Sequence, residues 1–128
     1  MQSILLAVDR EELLRAIALL GTTRKRRFSS VVPVWLKHDP AECQLHIQED
    51  GGAVIASVPA EGDWPPMGAT VDLYLLRRAV QRGEGTLVRL RALGDAVVLE
   101  GEGWNVRLDL LEFGPPEPPL PPLPLFDR

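Results

Sequence analysis

Cysteine is almost absent: Cys43 stands alone among 128 residues. A single thiol forbids an internal disulfide, and a reducing compartment is the expectation. Histidine is nearly as scarce. His38 and His46 are the only two, and with one cysteine they supply no ligand set of metal-binding spacing, so no metal or other cofactor is expected. Long apolar runs are missing as well. No stretch approaches the roughly 20 residues that span a bilayer, and MQSILLAVDREE has neither a basic leader region nor a small-residue cleavage site. The expectation is a soluble cytoplasmic protein without a membrane partner. Catalytic constellations are lacking too. Gly51-Gly52, Gly83-Glu84-Gly85 and Gly101-Glu102-Gly103 fall where turns are wanted, not where a phosphate-cradling loop opens a helix. Ser29 and Ser30 have no identifiable base, and Glu49-Asp50 reads as a hairpin tip rather than an acid–base pair. An enzyme is not expected.

What is present is a repeat. Residues 7–17 read AVDREELLRAI and residues 70–80 read TVDLYLLRRAV. At an offset of 63, Val8, Asp9, Leu13, Arg15 and Ala16 fall on Val71, Asp72, Leu76, Arg78 and Ala79. Each segment follows a short apolar strand, and Asp9 and Asp72 are placed to cap the helices that follow. The stripes Leu13/Ala16/Ile17/Leu20 and Leu76/Ala79/Val80 keep helical spacing, with Gly21 and Gly83 as stops. Alternating strands come after each helix. The first set comprises Val32/Val34/Leu36, Leu45/Ile47 and residues 53–58; the second comprises Val88/Leu90, residues 96–99 and Trp104/Val106/Leu108/Leu110. Pro33 inside the first of these strands suggests an edge or a bulge. Trp64 reads as a loop anchor and His46 as a surface residue.

The chain is therefore an α+β protein built from a βαβββ unit used twice, with halves at about 1–62 and 63–112. Their strands form antiparallel sheets, and the two helices lie together on one face. At 45% hydrophobic content the body can bury one core. Residues 113–128 are too rich in proline to join it and read as an extended tail.

Net charge is −4, yet 11 of the 14 Lys and Arg lie in residues 9–27 and 72–92, the two blocks that hold the repeat. Intervening and following segments are acidic. Such sign asymmetry allows one basic face on an acidic protein. On the second helix Tyr74, Arg78 and Arg82 recur every four residues, with Arg77 and Gln81 beside them; on the first, Glu11 and Arg15 occupy the matching stripe. Arg24, Lys25, Arg26 and Arg27 form a run that no core will accept. Arginines exposed along helices bind phosphates without reading bases.

In ILLAVDREELLRAIALLG, VDLYLLRRAVQRGEG and VVLEGEGWNVRLDLL the chain resembles the amino-terminal domain of the bacterial DNA sliding clamp, the beta subunit of DNA polymerase III, over about residues 3–111. That resemblance implies a DNA-clamp fold whose helices line an inner surface toward duplex DNA, with Arg15, Arg24, Lys25, Arg26, Arg27, Arg77, Arg78 and Arg82 as DNA-binding residues and a role as a replication or repair accessory factor. Family chains carry three such domains and close rings of six, so a lone domain implies homo-oligomerisation through sheet edges. The family's peptide-binding groove, which recruits polymerases, belongs to a domain this sequence lacks. The tail, GPPEPPLPPLPLFDR, ends in a Leu-x-Leu-Phe pattern similar to clamp-binding peptides, with Pro122 where those carry Gln. A second reading follows: a monomeric adaptor or antagonist docking on a bacterial sliding clamp through Leu123, Leu125 and Phe126. A third is a small interaction module that keeps the fold without binding DNA.

Overall fold

Each repeated segment turns from strand into helix at an aspartate, and the computed structural model shows that the two turns are built differently. The structure describes residues 4–20, 32–49 and 55–111. Strand β1 (Ile4–Asp9) runs into helix α1 (Arg10–Leu20), where the Glu12 N–H donates to Asp9 Oδ1 at 3.0 Å, an N-cap as expected. Strand β5 (Ala69–Asp72) runs into α2 (Leu73–Arg82), and Asp72 occupies the cap position without capping. Its buried carboxylate instead accepts the Val32 N–H at 3.0 Å, while the Leu73 N–H donates to the Val32 carbonyl at 2.8 Å. The expected cap at Asp72 is thus corrected. A nearby orphan backbone donor, brought there by the first half of the chain, outcompetes the helix's own N–H groups for the carboxylate.

The remaining strands are β2 (Pro33–Asp39), β3 (Gln44–Glu49), β4 (Ile55–Gly62), β6 (Leu87–Ala92), β7 (Ala96–Gly101) and β8 (Trp104–Asp109). All pairings are antiparallel, in the order β5-β2-β3-β4-β1-β6-β7-β8. The halves exchange their first strands. β1 joins β6 over six residue pairs, Ile4 opposite Ala92 through Asp9 opposite Leu87, and β5 joins β2 with Val34 opposite Val71. Pro33 is therefore the first residue of an inner strand, not an edge residue, a position that needs no ladder N–H from it. β1 also meets the end of β4, at Leu6 opposite Gly62 through Val8 opposite Ala60. The equivalent contact of the second half is a bond from the Leu111 N–H to the Thr70 carbonyl, 3.0 Å. Thr70 is Ala7 displaced by 63 residues.

One face of this curved layer is continuous with the core. Leu6, Val8, Leu36, Leu45, Ile47, Val58, Val88, Leu90 and Leu99 are fully buried from the strands. Leu13, Ile17 and Leu20 of α1 and Leu73, Leu76 and Val80 of α2 are buried against them, each worth about 1.5–3 kcal/mol relative to exposure. At Gly62 the backbone takes φ +133°, and a Cβ would collide with the Leu5 carbonyl, so only glycine lets β4 approach β1 there. Trp64 is buried as the anchor expected, its Nε1–H donating to the Leu36 carbonyl at 2.9 Å. Trp104 lies over Gly83 and Gly101, where any side chain would overlap its ring, and its Nε1–H donates to the Glu84 carbonyl at 3.0 Å. That indole fastens the β7–β8 hairpin to the end of α2.

Replacing Asp72 with alanine strands the Val32 N–H in the interior. Urea denaturation of Asp72→Ala is expected to show a loss of about 1–3 kcal/mol. Asp9→Ala, a solvent-exposed cap, should lose about 1 kcal/mol, both with unchanged denaturant dependence.

Candidate nucleic-acid interface

A helix lying on a sheet must sort its side chains by direction, and α2 sorts them largely by charge, with Leu75 as the exposed apolar exception. Leu73, Leu76, Ala79 and Val80 face the core, while Arg77, Arg78, Gln81 and Arg82 are exposed. Arg78 and Arg82 stand one turn apart, about 6 Å along the axis. Among the described residues, none forms an ion pair with Arg77, Arg78 or Arg82. Tyr74 departs from the stripe on which the sequence places it. It is half-buried and packed on the core, because the register that buries Leu73 turns it toward the sheet.

The first helix contributes one arginine to this surface. Arg15 is exposed, and its guanidinium lies 3.3 Å from Glu12, one turn back. An exposed i,i+3 pair of this kind is worth little and can open. Glu11 and Glu12 are both exposed on the same helix. The cationic surface is therefore a property of α2, with Arg15 as its neighbour.

Arg10 has a different job, one that sequence reasoning did not assign. Its Nε donates to the Val80 carbonyl at 2.9 Å and a terminal nitrogen donates to the Gln81 carbonyl at 3.0 Å. These are orphan acceptors in the last turn of α2, where a cation also meets the negative end of the helix dipole. The start of α1 is thereby held against the end of α2. The clue was available: the repeat places Arg10 over Leu73, a cation where the second copy buries an apolar side chain.

Two arginines elsewhere are committed, whereas Arg89 on β6 is exposed and has no ion pair among the described residues. Arg91 is paired with Glu100 at 3.0 Å. Arg107 bonds Asp95 at 2.8 Å and Asp109 at 3.3 Å; the Asp109 hydrogen bond and then the Asp95 charge raise its already high pKa. The expected contacts at Arg24, Lys25, Arg26 and Arg27 lie outside the described residues, as do Leu123, Leu125 and Phe126. What is described is where residues 21–31 are anchored. They begin after Leu20 at the end of α1 and rejoin at Val32, which is bonded to Asp72 and Leu73 at the start of α2.

The histidines have ordinary partners. His38 Nε2 is 2.9 Å from the Ala60 carbonyl and His46 Nδ1 is 2.7 Å from the hydroxyl of Ser57, its cross-strand neighbour. Among the described residues no group of three His, Cys, Asp or Glu is placed to hold a metal, and no helix is long and apolar enough to cross a membrane.

Solved structures share this fold, two of them as follows. The DNA polymerase III subunit beta from Pseudomonas aeruginosa matches with a TM-score of 0.71 and 20% sequence identity, over 90% of this chain and 33% of that one. A DnaN sliding clamp (DNA polymerase III subunit beta) from the same organism, bound to griselimycin, matches at 0.64 and 19%, over 89% and 34%. The chain thus has the DNA-clamp fold and spans about a third of the length of these two proteins. No protein-family model matches the sequence, and no curated protein sequence does.

Arg10 and Arg78 should separate structure from surface. Arg10→Met is expected to lower unfolding free energy by about 1 kcal/mol through loss of two hydrogen bonds. Arg78→Ala, exposed and unpaired among the described residues, should stay within about 0.5 kcal/mol of the parent in the same denaturation experiment.

Proposed function

We propose that this chain binds duplex DNA without sequence preference through the exposed face of its helix pair, as a sliding-clamp-like accessory factor of replication or repair. The observation that supports this reading is the row of Arg77, Arg78 and Arg82 on α2, exposed and unneutralised among the described residues, on the helical layer of a clamp fold. Arg15 and the run Arg24, Lys25, Arg26 and Arg27 would extend the same surface. Nothing in this arrangement reads a base edge. Guanidinium groups on a helix face neutralise phosphates and release counterions, which gives sequence-indifferent, salt-sensitive affinity.

Three or four cations give one protomer only weak affinity, so assembly matters. Two strand edges favour it. Among the described residues, positions 55–59 of β4 pair only with β3, and β8 pairs only with β7. Unsatisfied edges of this kind recruit further strands. Joining β8 of one copy to β4 of another would continue the sheet and multiply the cationic face, raising avidity without any new DNA contact. Sheet-edge assembly and DNA binding are thus one proposal with two separate tests.

Fluorescence anisotropy with a labelled duplex is expected to show affinity falling steeply as salt rises, by about 0.9 in the logarithmic slope per neutralised phosphate. Arg78→Glu with Arg82→Glu should weaken binding at least tenfold and flatten that slope. Affinity that ignored both salt and the double variant would overturn the reading. Light scattering is expected to return a multiple of the 14.1 kDa chain mass, and Asn105→Pro on β8 to reduce it. A parent chain that remains a monomer at high concentration would remove the assembly step and leave the DNA test standing.

A further inference from the structure

The face of the sheet turned away from the helices carries a groove that the DNA reading does not use. Its walls are Trp35 and Lys37 of β2, His46 and Gln48 of β3, and Ile55 and Ser57 of β4, around a volume of about 320 Å³. Those residues alternate with the core-facing ones, so the groove opens away from α1 and α2. The lining is mainly apolar at its ends: Ile55 is 54% exposed, and the Lys37 ammonium sits over the Trp35 ring, 5.2 Å from its centroid. The Trp35 Nε1–H donates to the carbonyl of Met67, itself 70% exposed, which extends the apolar patch beyond the groove. Among the described residues no acid lines the groove, and Lys37 is its one fixed charge.

The chain leaves the described structure beside this patch. The Leu111 N–H is bonded to the Thr70 carbonyl, and Thr70 lies directly opposite Trp35 across the β5–β2 ladder. Two strand spacings separate Leu111 from Trp35, about 10 Å. The 17 residues that follow, 112–128, reach about 50 Å in a polyproline conformation. We propose that residues 114–126 dock in cis along this groove, as a proline-rich strap across the back of the domain. Three residues complete one turn of a polyproline helix, so Glu117, Leu120, Leu123 and Phe126 would share one edge. That edge matches what the groove offers: one carboxylate for Lys37, then apolar side chains for Trp35 and Ile55. Proline-rich segments bind aromatic-lined grooves because their conformation is already ordered before they bind. Leu123 and Phe126 are also two of the three residues that a clamp-binding tail would need. Docking in cis would therefore withhold them from any partner until the strap is displaced.

The test is a spin label at the tail of the full chain. Cys43 is replaced first, as Cys43→Asn, since asparagine tolerates the left-handed φ of 53° there; the label is then attached through Asp127→Cys. Paramagnetic broadening is expected to fall on the Trp35 indole N–H and on the amides of Ile55 and Ser57. It should be lost on adding Ile55→Asp, an exposed substitution that leaves the core intact, or Leu120→Asp with Leu123→Asp. A mixture of unlabelled isotope-enriched chain and spin-labelled chain of natural abundance should show none of it. Broadening spread evenly over the surface, centred on α2, or present in the mixed sample would overturn docking in cis.

Discussion

Everything in this molecule follows from the exchange of first strands between its two halves. β1 lies between β4 and β6, and β5 lies against β2, so neither half owns a complete sheet. A βαβββ unit of about 50 residues by itself would bury too little apolar surface to offset its lost conformational entropy. Interlocking two of them places Leu6 and Val8 of one half against Val88 and Leu90 of the other and makes a single core. Gly62 is needed where β4 meets the other side of β1, because a side chain there would push those two strands apart.

The exchange also positions the helices. Each is tied to its exchanged strand by a tight turn, so α1 and α2 are brought onto the same face and packed together. Arg10 then holds the start of one against the end of the other. The exposed remainder of α2 has no choice but to present its polar stripe outward, and in this chain that stripe is arginine. A rigid row of cations on a helical layer and apolar side chains on the opposite face of the sheet are consequences of the same packing. They divide the surface into a cationic face and an apolar one.

Pseudo-symmetry is broken where the two halves must do different things. Asp9 caps its helix, while Asp72 turns inward to satisfy Val32. Arg10 bridges the helices, while Leu73 enters the core. Arg78 is free among the described residues, while Arg15 is partnered by Glu12. In each pair the second member has the same position in the repeat and different neighbours. The cationic surface is one-sided already in the sequence, where Leu14 and Leu19 occupy the repeat positions of Arg77 and Arg82, and the Arg15–Glu12 pair sharpens the difference.

Much of this was legible in the amino acids themselves. Helical spacing of Leu13, Ala16, Ile17 and Leu20, and period-two alternation through Trp104, Val106 and Leu108, are local properties of the chain, and an offset of 63 exposes the duplication without any coordinates. Charge is equally local, so the concentration of Arg77, Arg78 and Arg82 on one polar stripe could be read in advance. Partnership could not. That Asp72 bonds a residue 40 positions away, that Arg10 reaches 70 positions to Val80, and that Leu111 lands beside Thr70 are decided by strand exchange. A hydrogen bond or ion pair depends on which groups are brought within about 3 Å, and periodicity is silent on distances between segments far apart in the chain. Sequence alone determined two amphipathic βαβββ units and the sign of their exposed stripes; only the tertiary structure decided which charges are spent on holding the fold and which remain available to a partner.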